Sequence, residues 1–325
     1  MRVLVTGASG FIGGAVARTL QTKGLEVRAL LRPGAAPNVR DADEIEVVYG
    51  DLLDGESVQR ASTGCAAIFH AGGLYSFTAD GGTLHATNVG GTRNVLAAAR
   101  ATGARLVFTS SISTIGGMRG GVIPDEHQDA GASAPGPYKA SKWHAEQLVR
   151  DEAKRGVDAV IVNPTFPVGW ADVKPTPTGA LIRDFIAGLI PAYVETGMNV
   201  VDVDDVAEGH WLAFEKGKRG ERYILGHANL TMRELLELLA DISGRPAPRM
   251  RIPHAVALGL AYADALVKSP LRGRPRVPLE GVRTAREIRF ASSARAVREL
   301  GLPQSPVRTA LEKAVRWFQQ KGSQR

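Results

Sequence analysis

The chain has 325 residues, 44% of them hydrophobic and 22% charged, with a net charge of +7. That length exceeds a usual domain of about 100–200 residues, yet no Ser-rich or charge-rich linker divides it. No apolar run approaches the roughly 20 residues of a membrane-spanning helix, and the single cysteine, Cys65, excludes an intrachain disulfide.

The opening Met-Arg-Val-Leu-Val-Thr-Gly enters an apolar run that stops at Gly7, too short for a secretory signal, so a cytoplasmic protein is expected. Strands are predicted over Arg2–Thr6, Glu26–Leu31, Ile45–Tyr49, Ala66–His70, Arg105–Ser110 and Val157–Val162. Helical patterns separate them, the two long ones at His85–Thr102 and Tyr138–Arg155. Such alternation predicts right-handed crossovers and an α/β, Rossmann-type doubly wound parallel sheet. Cys65, just before the fourth strand, reads as a small buried hydrophobe.

Between the first strand and the first helix lies Thr6-Gly7-Ala8-Ser9-Gly10-Phe11-Ile12-Gly13. Glycines there let the backbone approach a pyrophosphate, whose charge meets the N–H groups and positive end of the helix. Gly7, Gly10, Phe11, Ile12 and Gly13 are therefore cofactor-binding candidates. The second strand runs into Arg32 with no acid to accept from the ribose of NAD, which argues for NADP. Arg40 is a second candidate contact if the loop folds back; a solvated Arg32 is the bland alternative. Asp51 and Leu52, after the third strand, sit where an adenine is bound.

Strand Arg105–Ser110 ends in hydroxyls at the carboxyl edge of the sheet, where ligands bind in such folds. Tyr138 and Lys142 then share a helix face, so phenol and ammonium converge. A cation beside the phenol favours phenolate and brings the group toward a useful range for proton transfer. Alone, such a pair is as often structural as catalytic; with the glycine turn and the serine-tipped strand before it, coincidence is hard to sustain.

After Val162 the alternation ends. Residues 1–165 are expected to form the dinucleotide-binding domain, which carries the catalytic residues, and residues 166–325 a smaller, mainly helical substrate-binding lobe, with some segments returning to that domain. Its predicted helices are Leu181–Gly188, Val206–Lys216, Met232–Ser243, His254–Val267 and Ser305–Gln320, with short strands at Val200–Val203 and Arg222–Leu225. The helix from His254 is apolar on much of its surface and reads as core, or else as a contact for a lipid-like substrate or membrane. Arg245 to Arg298 holds 12 Lys and Arg against 3 acids. That field attracts phosphate-bearing molecules, nucleic acid or an anionic membrane alike, or is merely solvated arginine. Without interleaved aromatic residues, nucleic acid is not expected as a partner, and no metal site is expected.

These motifs, with His70-Ala71-Gly72, Asn88-Val89-Gly90-Gly91-Thr92-Arg93-Asn94, Asn163-Pro164 and Asp202-Val203-Asp204-Asp205, resemble the extended short-chain dehydrogenases/reductases, the NAD-dependent epimerase/dehydratase family. The resemblance implies Tyr138 as catalytic acid or base, Lys142 on the nicotinamide ribose and Ser111 polarising the reacting oxygen. It favours Ser111 over Ser110, puts Ala71 along the cofactor channel and Pro164 near the nicotinamide, and gives Asn88 a part in ordering the active-site helix. It also implies a homodimer through the two long helices. Two subgroups are similar: hopanoid-associated sugar epimerases and dihydroflavonol-4-reductase-like carbonyl reductases. Gly116 stands where plant flavonoid reductases carry asparagine, and Asp202 where many relatives carry histidine.

The expected activity is NADP-linked hydride transfer at an alcohol/carbonyl centre of a small substrate that is phosphorylated, sugar-like or lipid-linked. NAD with redox-neutral epimerisation or dehydration of a sugar is the alternative, and a non-catalytic dinucleotide sensor the minor one.

Overall fold

Short, almost wholly apolar strands covered on both faces by helices dictate the architecture of the computed structural model. It describes the chain apart from residues 40–43, 77–78, 119, 132–135, 269–285 and 323–325, and apart from the side chains of 264–268 and 322. Strands β1 (Arg2–Thr6), β2 (Glu26–Leu31), β3 (Glu46–Tyr49), β4 (Ala67–His70), β5 (Arg105–Thr109) and β6 (Ala159–Pro164) join β10 (Arg222–Leu225) in one parallel sheet. Its order is β10-β6-β5-β4-β1-β2-β3, so successive strands are laid in opposite directions on the two sides of the β1/β4 pair. Thr6 pairs with Leu30 on one side and His70 on the other. In open sheets of this kind ligands bind at such a switch, beyond the carboxyl ends of the strands.

Helices α1 (Phe11–Thr22), α7 (Val203–Lys216) and α10 (Ala294–Leu300) bury apolar residues against one face of the sheet. On the other lie α2 (Gly55–Ser62), α4 (Gly91–Thr102) and α5 (Pro137–Lys154). The predicted single helix over 85–102 is instead α3 (Gly81–His85), a π turn (Ala86–Gly90) and α4. The widened turn accompanies an inward Asn88. Its Oδ1 accepts from Leu74 N at 2.7 Å, and its Nδ2 donates to Ser141 Oγ of α5 at 2.9 Å.

The remaining helices α6 (Pro177–Ile186), α8 (Met232–Ser243) and α11 (Val307–Gly322) surround a three-stranded sheet of β7 (Phe166–Val168), β9 (Gly197–Asp202) and β11 (Ala228–Thr231). Asp202 ends β9 and caps α7, accepting from Asp204 N at 2.9 Å and from Lys313 Nζ at 2.8 Å. This carboxylate thus ties α11 to α7. Strands β8 (Ala192–Tyr193) and β12 (Met250–Arg251) form a short ladder leading into α9 (His254–Lys268).

Helix α9 corrects an expectation. Ala257 and Ala261 are buried, but Val256, Leu260 and Tyr262 are 50, 54 and 44% exposed, so the helix is not core. A helix apolar all round carries no periodic instruction for which face turns inward. Cys65 is buried as expected, and burial pushes its thiol up.

Candidate active site

The glycine turn leaves no room for side chains. Gly7 has φ +78°, and a Cβ on it would lie 2.7 Å from the Ala71 carbonyl carbon; a Cβ on Gly13 would lie 2.2 Å from Gly7 O. Gly10 caps α1 without a side chain, so no hydroxyl or carboxylate competes for the N–H groups at Phe11, Ile12 and Gly13. Close backbone approach and an uncapped helix N-terminus fit a pyrophosphate. Ala71 continues from β4 beside this turn, its N donating to Thr6 O at 3.2 Å. Arg32 is exposed just past β2; Arg40 lies outside the described residues. The Asp51 carboxylate accepts from Leu53 N at 2.9 Å, and Asn94 Nδ2 donates to Leu52 O at 2.8 Å, fixing the loop after β3.

Beneath the crevice His70 is sealed between two threonines, with Nδ1 2.7 Å from Thr6 Oγ1 and Nε2 3.3 Å from Thr92 Oγ1. Thr92 donates its own proton to Asn88 O, so the partners assign the proton to Nε2. Burial, aided by the Lys142 charge, lowers His70 to about 3.

Ser110 and Ser111 follow β5 and diverge. Ser110 donates into the interior to Glu146, whereas Ser111 lies beside the phenol of Tyr138. Tyr138 stands in the first turn of α5, behind Pro137, which suits a helix start. One turn on, Lys142 Nζ donates to Thr109 O at 2.8 Å and lies 5.0 Å from the Phe108 ring centre. Burial lowers Lys142 to about 8, against the pull of Glu146. The depressed tyrosine expected from sequence is not found here: burial pushes the phenol up, and only the neighbouring Ser111 opposes it. The ammonium is engaged by a backbone carbonyl instead. Pro164 ends β6 and is buried.

Several residues escaped the sequence reading. Glu146 is fully buried; its Oε1 accepts from Arg222 Nη1 at 2.8 Å, and its Oε2 accepts from Ser110, from Thr114 Oγ1 at 2.6 Å and from Asn163 Nδ2 at 2.8 Å. Asn163 Nδ2 also donates to Ser111 O at 3.1 Å, and Thr114 Oγ1, with one proton to share between Glu146 and that carbonyl, lies 2.9 Å from the same oxygen. One buried carboxylate thus organises the donors that hold the backbone of Ser111. The fourfold spacing Tyr138–Lys142–Glu146 was a usable signal for it; nothing in the local sequence pointed to Arg222. At the mouth, the Tyr75 ring meets Tyr138 edge-on with centres 4.5 Å apart. Lys139 Nζ pairs with Glu287 at 3.1 Å, and Glu287 also pairs with Arg289. Gly116 faces Gln128 and Asp129, against which a larger side chain would press.

A parallel sheet with a phosphate-binding turn at its switch point and a Ser-Tyr-Lys set beside it defines a nicotinamide-dependent enzyme of the extended short-chain dehydrogenase/reductase type. The chain belongs to the NAD-dependent epimerase/dehydratase family, whose model matches residues 3–226. It is 43% identical to a dihydroflavonol 4-reductase so named in Synechocystis, over 98% of this chain and 94% of that one. It is 35% identical to sterol demethylase protein B of Methylococcus capsulatus, over 99% of each. The solved structure of gox2253 superposes with a TM-score of 0.85 at 39% identity, covering 98% of each chain. The cofactor is a nicotinamide dinucleotide.

Proposed function

We propose that the protein catalyses NADP-linked hydride transfer between an alcohol and a carbonyl of a small-molecule substrate. The observation that carries this reading is the Tyr138 phenol beside Ser111, with Lys142 one turn on in the same helix. The cofactor supplies the hydride in the reducing direction. Tyr138 donates its phenolic proton to the substrate oxygen as negative charge develops there, and Ser111 donates a hydrogen bond to the same oxygen. Lys142, held on Thr109 O, would bind the nicotinamide ribose. The Glu146 network keeps Ser111 from turning away.

The NADP preference rests on Arg32, exposed at the end of β2 with no acid beside it in sequence. The reductase-named relative supports net reduction; the family's epimerases, and the resemblance to hopanoid-associated enzymes, support the redox-neutral rival. A cytoplasmic homodimer is proposed on the same family resemblance.

Titration calorimetry with NADP and NAD, on wild type and Arg32→Ala, tests the reading. The expected result is NADP tighter by roughly 10- to 100-fold, the worth of a charge-assisted phosphate contact, with the difference erased in the variant. A preference for NAD, or NAD that arrives bound and does not exchange, overturns it in favour of epimerisation.

A further inference from the structure

Helix α9 turns its apolar residues outward. From Ile252 to Ala263 the chain carries no Asp, Glu, Lys or Arg. The exposed positions are Ala255, Val256, Gly259, Leu260, Tyr262 and Ala263, whose spacing traces one continuous face of the helix. Met250, also exposed, belongs to the β8/β12 ladder that feeds the helix, where Ile252 N donates to Tyr193 O at 2.9 Å, and the exposed Leu189 lies three residues before β8. Single exposed hydrophobes need no explanation, but a grouped set marks a contact surface.

Charge selects the occupant. Arg245, Arg249 and Arg251 are exposed on the approach to α9, and Glu195 is the acid paired with Arg251, at 3.8 Å. In sequence the surplus continues: 12 basic residues against 3 acids between 245 and 298, although Arg272–Arg276 lie outside the described residues. A symmetric contact with a second copy would bring like arginines together. An anionic bilayer satisfies both features at once, taking the apolar face at the acyl boundary and the guanidinium groups among its phosphates.

We propose that α9 and the arginines preceding it form a peripheral docking surface for anionic phospholipid membranes. The helix lies on the bilayer; among the described residues no helix is long and apolar enough to cross it. The inference is independent of the hydride chemistry, since it uses no residue of the cofactor crevice.

The test is cosedimentation of the full chain with vesicles of phosphatidylcholine alone and of phosphatidylcholine mixed with phosphatidylglycerol. Binding is expected to the mixed vesicles and to weaken with salt. It should fall about five-fold per arginine in Arg249→Gln and Arg251→Gln, and be lost in Val256→Ser/Leu260→Ser. Each variant should keep the wild-type NADP affinity and unfolding midpoint, as these side chains are exposed. As a second measurement, an environment-sensitive dye on Leu260→Cys, with Cys65 buried, should shift to the blue on mixed vesicles. No binding to anionic vesicles, or binding indifferent to the serine pair, overturns the proposal. So does light scattering that shows a dimer dissociated by those serines with no vesicle binding.

Discussion

The floor and the mouth of the crevice are built on opposite principles. The floor is a closed polar network in which Ser110, Thr114, Asn163 and Arg222 converge on the buried Glu146. The mouth is Tyr75 against Tyr138 and a Lys139–Glu287–Arg289 group whose carboxylate is half exposed. A buried charge must keep all its partners, because losing one leaves an uncompensated ion in a low-dielectric interior. At the mouth only the Glu287 carboxylate, 44% exposed, meets solvent, while Lys139 and Arg289 are 9 and 14% exposed, so water screens this group only in part. In the proposed chemistry Ser111 and Lys142 are anchored from below, whereas the Glu287 carboxylate at the mouth is not held in this way.

The sharpest test of the floor is at the reacting oxygen. Tyr138→Phe is expected to lower turnover by about 10²- to 10⁴-fold with cofactor affinity unchanged; parallel kinetics and calorimetry check this, and a retained rate removes the proton-transfer role. Next, Glu146→Ala should destabilise the fold by about 3–5 kcal/mol in urea, since it strands the buried Arg222 guanidinium. Were the loss no greater than at a surface site, the division between floor and mouth would fail.

Acid should loosen the protein from beneath the same floor. His70 is lowered to about 3 and His210 to about 4, in both cases chiefly by burial. The unfolded chain takes up protons near 6.5 that these folded rings refuse, so stability is lost as pH falls from about 6.5 toward those values. Thermal unfolding across that window should show the decline, less steep in His70→Gln. The smallest effect is expected at the mouth. Glu287→Gln keeps an amide oxygen for the buried Lys139 ammonium and should cost less stability than Glu146→Ala, while shifting KM for charged substrates relative to neutral ones; an unchanged KM ratio would mean that substrates do not meet this group.

The parallel sheet, the glycine turn and the Tyr138–Lys142 pair were legible in the sequence because each depends on neighbours along the chain. Strand alternation sets the sheet, the turn's glycines answer to sterics within seven residues, and fourfold spacing sets a helix face. Tertiary structure decided what depends on distant partners. Glu146 meets Arg222 across 76 residues. Asn88 turns inward at a π turn to reach Ser141 in another helix. The outward face of α9 was undecided by its sequence, which from Ile252 to Ala263 offers no charged stripe to keep in water, so packing by Ala257 and Ala261 chose the side that turned in.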